Sequence, residues 1–111
     1  DSVWHGFAPE PLDLEGYKGA ITMFLDAFPD SRFPVEDVVA EGNLVACRHS
    51  LRGTNLGDFG EIPASGNPVT VNAIVILRIE GGKVKEAWLN ADMLGMMGQI
   101  GAIPAPEGAE A

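Results

Sequence analysis

The sequence predicts an α+β domain, a curved antiparallel sheet wrapped around a helix. Three observations carry that prediction. The order of segments is helix, hairpin, long strand pair, short helix, and the strands follow one another without intervening helices. The turns between strands are short except one, which suits antiparallel pairing. The run VTVNAIVILRI at 69–79 is the strongest strand signal in the chain, rich in β-branched residues.

At 111 residues the chain has room for one core and is read as a single domain over 1–103 with a flexible tail, PAPEGAEA, at 104–111. Hydrophobic residues make up 46% and charged residues 21%, a globular balance. The formal charge is −9, and the seven basic residues are scattered. A nucleic-acid or anionic-membrane surface is therefore not expected. Cys47 is the only cysteine, so no intrachain disulfide forms, and its place in an apolar alternation makes it a core residue. No stretch reaches the ~18 apolar residues of a membrane span and no signal peptide is visible, so a cytoplasmic setting is expected.

In chain order, Asp1 to His5 is a short extended piece with Val3 and His5 on one face and Trp4 on the other. Residues 6–11 hold one Gly and two Pro and read as loop. A helix is expected over Leu14–Ala27, with Asp13 as N-cap and Tyr17, Ala20, Ile21, Phe24, Leu25 and Phe28 on one face. Arg32 to Glu41 reads as a strand carrying Phe33, Val35, Asp37 and Val39 on one side, and Glu41-Gly42-Asn43 turns it into a second strand, Leu44 to Thr54. There Val45, Cys47, His49 and Leu51 share the apolar face. Asn55 to Asn67 is a long Gly/Pro-containing loop tethered by Phe59 and Ile62, placed to serve as a rim or lid. Pro68 to Glu80, apolar on both faces over Ala73 to Leu77, should be a central strand, and Gly81-Gly82 returns it into the last strand. A helix follows from Met93, rich in methionine and punctuated by Gly95 and Gly98, an adaptable cover for an apolar ligand or a loosely built core helix.

The stretch from Lys83 to Gly101, KVKEAWLNADMLGMMGQIG, holds the most chemistry. Alternation puts Val84, Trp88, Asn90 and Asp92 on one face, with Glu86 as a polar interruption. An indole, an amide and a carboxylate would then face an apolar hollow together. A carboxylate there must be paired, hydrogen-bonded or protonated. The same position also makes Asp92 an N-cap for the helix at Met93, and the two roles are compatible.

A set of short motifs extends the reading. Phe28-Pro29-Asp30, Val35-Glu36-Asp37, Ala40-Glu41-Gly42-Asn43, Arg52-Gly53-Thr54, Gly57-Asp58-Phe59, Ile62-Pro63-Ala64-Ser65-Gly66, Gly81-Gly82-Lys83 and Trp88-x-x-x-Asp92 with Gln99-Ile100-Gly101 occur in this order. From Val3 to about Ile103 the chain resembles polyketide cyclases of the SnoaL type and the wider ester cyclase group. The resemblance implies the cone-shaped fold shared with nuclear transport factor, ketosteroid isomerase and limonene epoxide hydrolase. It implies closure of a polyketide ring by intramolecular aldol condensation without metal or organic cofactor. It implies that Asp92 is the acid/base residue. The family's partner histidine is expected near Arg78, where this chain has none; His49 and His5 are its only histidines. Relatives usually begin with one or two helices ahead of the Asp-Ser-Val-Trp-His segment, and here these are missing. An uncovered apolar cavity then predicts a homodimer.

The expected chemistry is lyase or isomerase chemistry on a small apolar carbonyl compound. Asp92 acts as base, and Asn90 or His49 hydrogen-bonds the enolate oxygen. The ligand-binding residues are Trp88, His5, Tyr17, Phe24, Val45, Arg78, Met93 and Met97. No metal site is expected. A non-catalytic module binding a small hydrophobic ligand in the same hollow is the alternative. Epoxide hydrolysis would need two acids and an arginine converging on water, and the spacing of Arg48, Arg78 and Asp37 builds no such triad.

Overall fold

The structure is a computed structural model and describes residues 2–103. Its elements are β1 (Val3–His5), α1 (Leu14–Ala27), β2 (Val35–Glu41), β3 (Leu44–Thr54), β4 (Pro68–Glu80), β5 (Lys83–Ala91) and α2 (Met93–Gln99). The strands form one sheet in the order β1-β5-β4-β3-β2. β2 through β5 pair antiparallel, each with its neighbour in sequence, as short turns require. β1 instead runs parallel to β5, so the sheet is mixed rather than wholly antiparallel. The expected tail at 104–111 lies outside the described residues.

The helix ends follow the sequence. The Asp13 carboxylate accepts a hydrogen bond from the Gly16 N–H at 2.8 Å, capping α1 as its residue type predicts. Phe28 closes the helix through its N–H to the Phe24 carbonyl, and Pro29 follows. Leu25, expected on the inward face, is 42% exposed, because the buried stripe runs through Phe24, Ala27 and Phe28 and Leu25 lies to one side of it.

One face of the sheet is covered and the other is open. The covered face carries Val69, Val71 and Ala73 of β4, all buried. It packs on Ala27 and Phe28 of α1 and on Met96 and Ile100 of α2, which together form the core. β4 is the central strand, as its composition predicts. Its second apolar face is nonetheless uncovered, with Ile74 at 48% and Ile76 at 39% exposure.

Two register breaks decide which side chains meet the interior. In β2, the pairing shifts between Val35 and Asp37, so Glu36 is an extra residue. Val35 lies opposite inward-facing His49, whereas Asp37 lies opposite outward-facing Arg48. The expected common face of Val35, Asp37 and Val39 is therefore split. In β5, Glu86 pairs with Arg78 but Val84 pairs with Ile79, which leaves Lys85 as the extra residue. Such an insertion reverses the facing of everything beyond it.

Besides the core packing of Met96 and Ile100, α2 is fastened to β4 by the side chain of Gln99. Gln99 Oε1 accepts from the Thr70 N–H at 2.7 Å and Gln99 Nε2 donates to the Thr70 carbonyl at 2.9 Å. The amide thus mimics a neighbouring strand residue. The long 55–67 loop is organised by Asn55, which is fully buried. Its Nδ2 donates to the Gly57 carbonyl, and its Oδ1 accepts from the Ser65 N–H and hydroxyl.

Candidate functional site

Between α1 and the covered face of the sheet lies an apolar cavity of about 670 Å³. The sheet supplies His49 and Leu51 from β3, Val71, Ala73, Val75 and Leu77 from β4, and Val84, Leu89 and Ala91 from β5. Tyr17, Ala20, Ile21, Met23 and Phe24 of α1 close it from above, and Met93 and Met96 of α2 close one end. The segment after β1 adds Gly6, Phe7, Ala8 and Pro9. Phe33 and Phe59 complete the wall.

Of the expected site residues, Tyr17, Phe24, His49 and Met93 line this cavity. His49 sits on β3 between Cys47 and Leu51 on the same face, opposite Ala73 of β4. The small alanine leaves the imidazole room toward the cavity. Its Nδ1 is buried and has no hydrogen-bond partner. A buried polar atom without a partner is costly and calls for an explanation such as a catalytic role or a bound group. Tyr17 is the only hydroxyl among the lining residues, and its ring lies flat on Trp4 at 3.8 Å.

The remaining expected residues are placed elsewhere, and the Lys85 bulge explains most of them. Val84 reaches the cavity, but beyond the extra residue Leu89 and Ala91 face inward instead of Trp88 and Asn90. Glu86, the polar interruption in the alternation, was the signal of that switch. Trp88 lies on the outer face, stacked on the His5 ring at 5.6 Å and 8°. Asn90 is exposed. Arg78 is on the same outer face and donates to Glu86 at 3.2 Å and to Glu80. His5 Nε2 lies 2.7 Å from Glu86 Oε2. That bond first, and Arg78 second, hold the Glu86 carboxyl below its ordinary pKa. Val45 shares the inward face of β3 without lining the cavity, and Met97 packs against the core cluster.

Asp92 is exposed, and its carboxylate accepts from the Gly95 N–H at 2.9 Å as the N-cap of α2. It stands between lining residues Ala91 and Met93, but its side chain is not part of the wall. A Cβ on residue 95 would meet that carboxylate at 2.3 Å, so glycine there makes the cap possible. Replacing Asp92 by Ala should cost about 1 kcal/mol of stability, read as a lower melting temperature. An unchanged melting temperature would show that the cap is idle.

Trp4, Phe7, Met23, Phe33, Phe59, Leu89, Ala91 and Met96 were not among the expected residues. Phe59 had been placed as a tether of the 55–67 rim or lid and Phe33 on a strand, neither as a ligand-binding residue. Among the described residues no cluster of three or more His, Cys, Asp or Glu is arranged to hold a metal ion. Nor, among the described residues, is any helix long and apolar enough to cross a membrane.

A family model for SnoaL-like polyketide cyclases matches residues 4–100, nearly the whole domain. The chain belongs to the SnoaL-like polyketide cyclase family. Comparison with curated protein sequences finds no match. Among solved structures, this SnoaL-like chain is similar to AclR of Streptomyces galilaeus, a proposed hydroxylase. The two share 27% identity at a TM-score of 0.84, over 94% of this chain and 66% of that one. It is similar to IdmH of Streptomyces antibioticus, a proposed polyketide cyclase, with 31% identity and a TM-score of 0.78 over 91% and 79%. A proposed SnoaL-like polyketide cyclase from Jannaschia sp. CCS1 gives 28% identity and a TM-score of 0.81 over 93% and 71%. The SnoaL-like chain thus spans about two thirds to four fifths of these relatives' lengths. Their proposed activities differ on one fold, so the site must decide the reaction.

Proposed function

We propose that this chain binds a small, largely apolar carbonyl compound in its cone cavity and acts on it by acid/base chemistry without an organic cofactor. The reaction class is intramolecular aldol cyclisation or isomerisation. The observation that supports it is His49, an imidazole with a buried, partnerless nitrogen in an otherwise apolar wall. In the proposed step the His49 imidazole takes the proton α to the substrate carbonyl. The enolate forms, and the Tyr17 hydroxyl donates to its oxygen. In a cyclisation the enolate carbon then attacks a second carbonyl of the same molecule. A carbon–carbon bond forms, and the new alkoxide takes the proton back from the imidazolium. In an isomerisation the proton returns to a different carbon.

A second reading, binding without turnover, is favoured by one observation: the Asp92 carboxylate is exposed and engaged in capping α2. The two readings part in deuterium oxide. Catalysis predicts protein-dependent exchange of the α-protons of an apolar cyclic ketone, followed by NMR. Binding of the ketone with no exchange would leave the binding reading alone.

The proposal includes a homodimer formed through the open face of the sheet. Ile74, Ile76 and Val39 are exposed there. The Arg48–Asp37 pair balances charge locally on a chain of net −9, which lets two copies approach there. Light scattering at micromolar concentration should give twice the chain mass, and the mass of one chain would refute it.

A further inference from the structure

We infer that the segment Gly6–Pro11 is the lid of the cavity, and that the His5–Glu86–Arg78 cluster on the opposite face of the sheet is its latch; this rests on the cavity being a ligand site. Four consecutive residues of that segment, Gly6 to Pro9, line the cavity. No hydrogen bond holds residues 6–11 to any other described residue. The segment is kept down by Phe7, whose ring meets Trp4 at 5.8 Å and Tyr17 at 5.1 Å, both edge to face. A segment with so few fixed contacts belongs to the low-stability end of a fold. The other long loop is the reverse case: 55–67 is fastened through Asn55, by Asp58 to the Ala64 N–H, and by the Gly57 N–H to the Ala27 carbonyl. The sequence made 55–67 the natural lid, and its bonding makes it a fixed wall.

The lid has two fixed ends. At its far end Leu12 exchanges two backbone hydrogen bonds with Trp4, at 2.8 and 2.9 Å. At its near end is His5, whose ring is stacked on Trp88 and bonded to Glu86, which Arg78 holds in turn. Directly after His5 the chain passes so close to β5 that a Cβ on residue 6 would meet the Leu89 carbonyl oxygen at 2.0 Å. Gly6 has φ +90°, open to glycine and strained for other residues. A permissive residue at the edge of a pinned one is a hinge. β1 is only three residues long, so the side chain of its last residue contributes much of what holds that end.

The latch should set the rate of ligand passage and leave affinity unchanged, because opening is needed equally for entry and exit. The test is stopped-flow binding of Nile red, a neutral apolar fluorophore, to the full chain. Glu86→Gln and His5→Gln should each raise the association and dissociation rates about fivefold, with Kd within twofold. Asp37→Asn, which breaks the separate ion pair with Arg48 on the outer face, should change neither rate. Amide exchange at Trp4 and Leu12 should quicken in the two latch variants and in neither case spread to the core of α1. Unchanged rates in folded Glu86→Gln and His5→Gln would overturn the latch, as would an equal rise in Asp37→Asn. Failure of Nile red to bind the unaltered chain would sink the ligand-site reading itself, and the lid with it; binding with unchanged rates would sink the latch alone.

Discussion

His49→Gln should lower proton exchange from a bound apolar ketone by about 10²- to 10⁴-fold, the range a positioned acid/base group supplies. The glutamine keeps the approximate shape and a hydrogen-bonding end group but cannot shuttle a proton near neutrality. Binding should therefore survive, with Nile red affinity within about threefold, since the wall around position 49 is otherwise apolar. The same position is buried in part and its Nδ1 already lacks a partner, so the substitution breaks no hydrogen bond at that nitrogen. Asp92→Asn keeps an N-capping side chain and should leave exchange near the original rate. Equal exchange by His49→Gln and the unaltered chain would remove His49 from the chemistry. A collapse in Asp92→Asn would instead return the acid of the resemblance to the centre of it.

Phe28→Ala should remove about 3–5 kcal/mol of stability, against a total of about 5–15 kcal/mol for a domain of this kind. Phe28 is fully buried at the C-terminal end of α1 and touches both sides of the core. Its ring stacks on Phe24 at 4.7 Å and meets Phe59 at 6.1 Å. Truncation would leave a void where three structural parts converge: α1, the fixed 55–67 loop and β4. None of these can move in to fill it, since the loop is bonded to α1 through Gly57 and Ala27. Denaturant titration should show the loss directly, and a change under 1 kcal/mol would mean that the void collapses.

Much of the fold was legible because local pattern and tertiary packing agree in it. α1, β3 and β4 have the boundaries that apolar periodicity and turn residues assign. The pocket residues that could be read were those on regular stretches: Tyr17 and Phe24 by helical spacing, His49 by alternation, and Met93 at the head of the methionine-rich helix. Trp88 and Asn90 were misplaced for a definite reason. A strand read in strict alternation has no place for an extra residue, and Lys85 is one. The parallel pairing of β1 was not legible, since three residues carry no register and their partner lies more than eighty positions away. The lid was not legible because its signal is the absence of bonds. Asp92 was legible as a cap from its residue type; its inward-facing placement depended on a strand phase that the bulge reverses, whereas its acid/base role came from the resemblance.

The side-chain amide of Gln99 ties the floor of the hollow to the backbone ladder of the sheet. α2 is seven residues long with two glycines inside it, too short to hold its own shape in water. Its methionines cover the hollow while the core packing of Met96 and Ile100 and the pairing of the Gln99 amide with Thr70 keep the helix seated. A guest that presses on Met93 or Met96 is felt at the rim of β4, so occupancy and the anchoring of the C-terminal helix are a single mechanical variable.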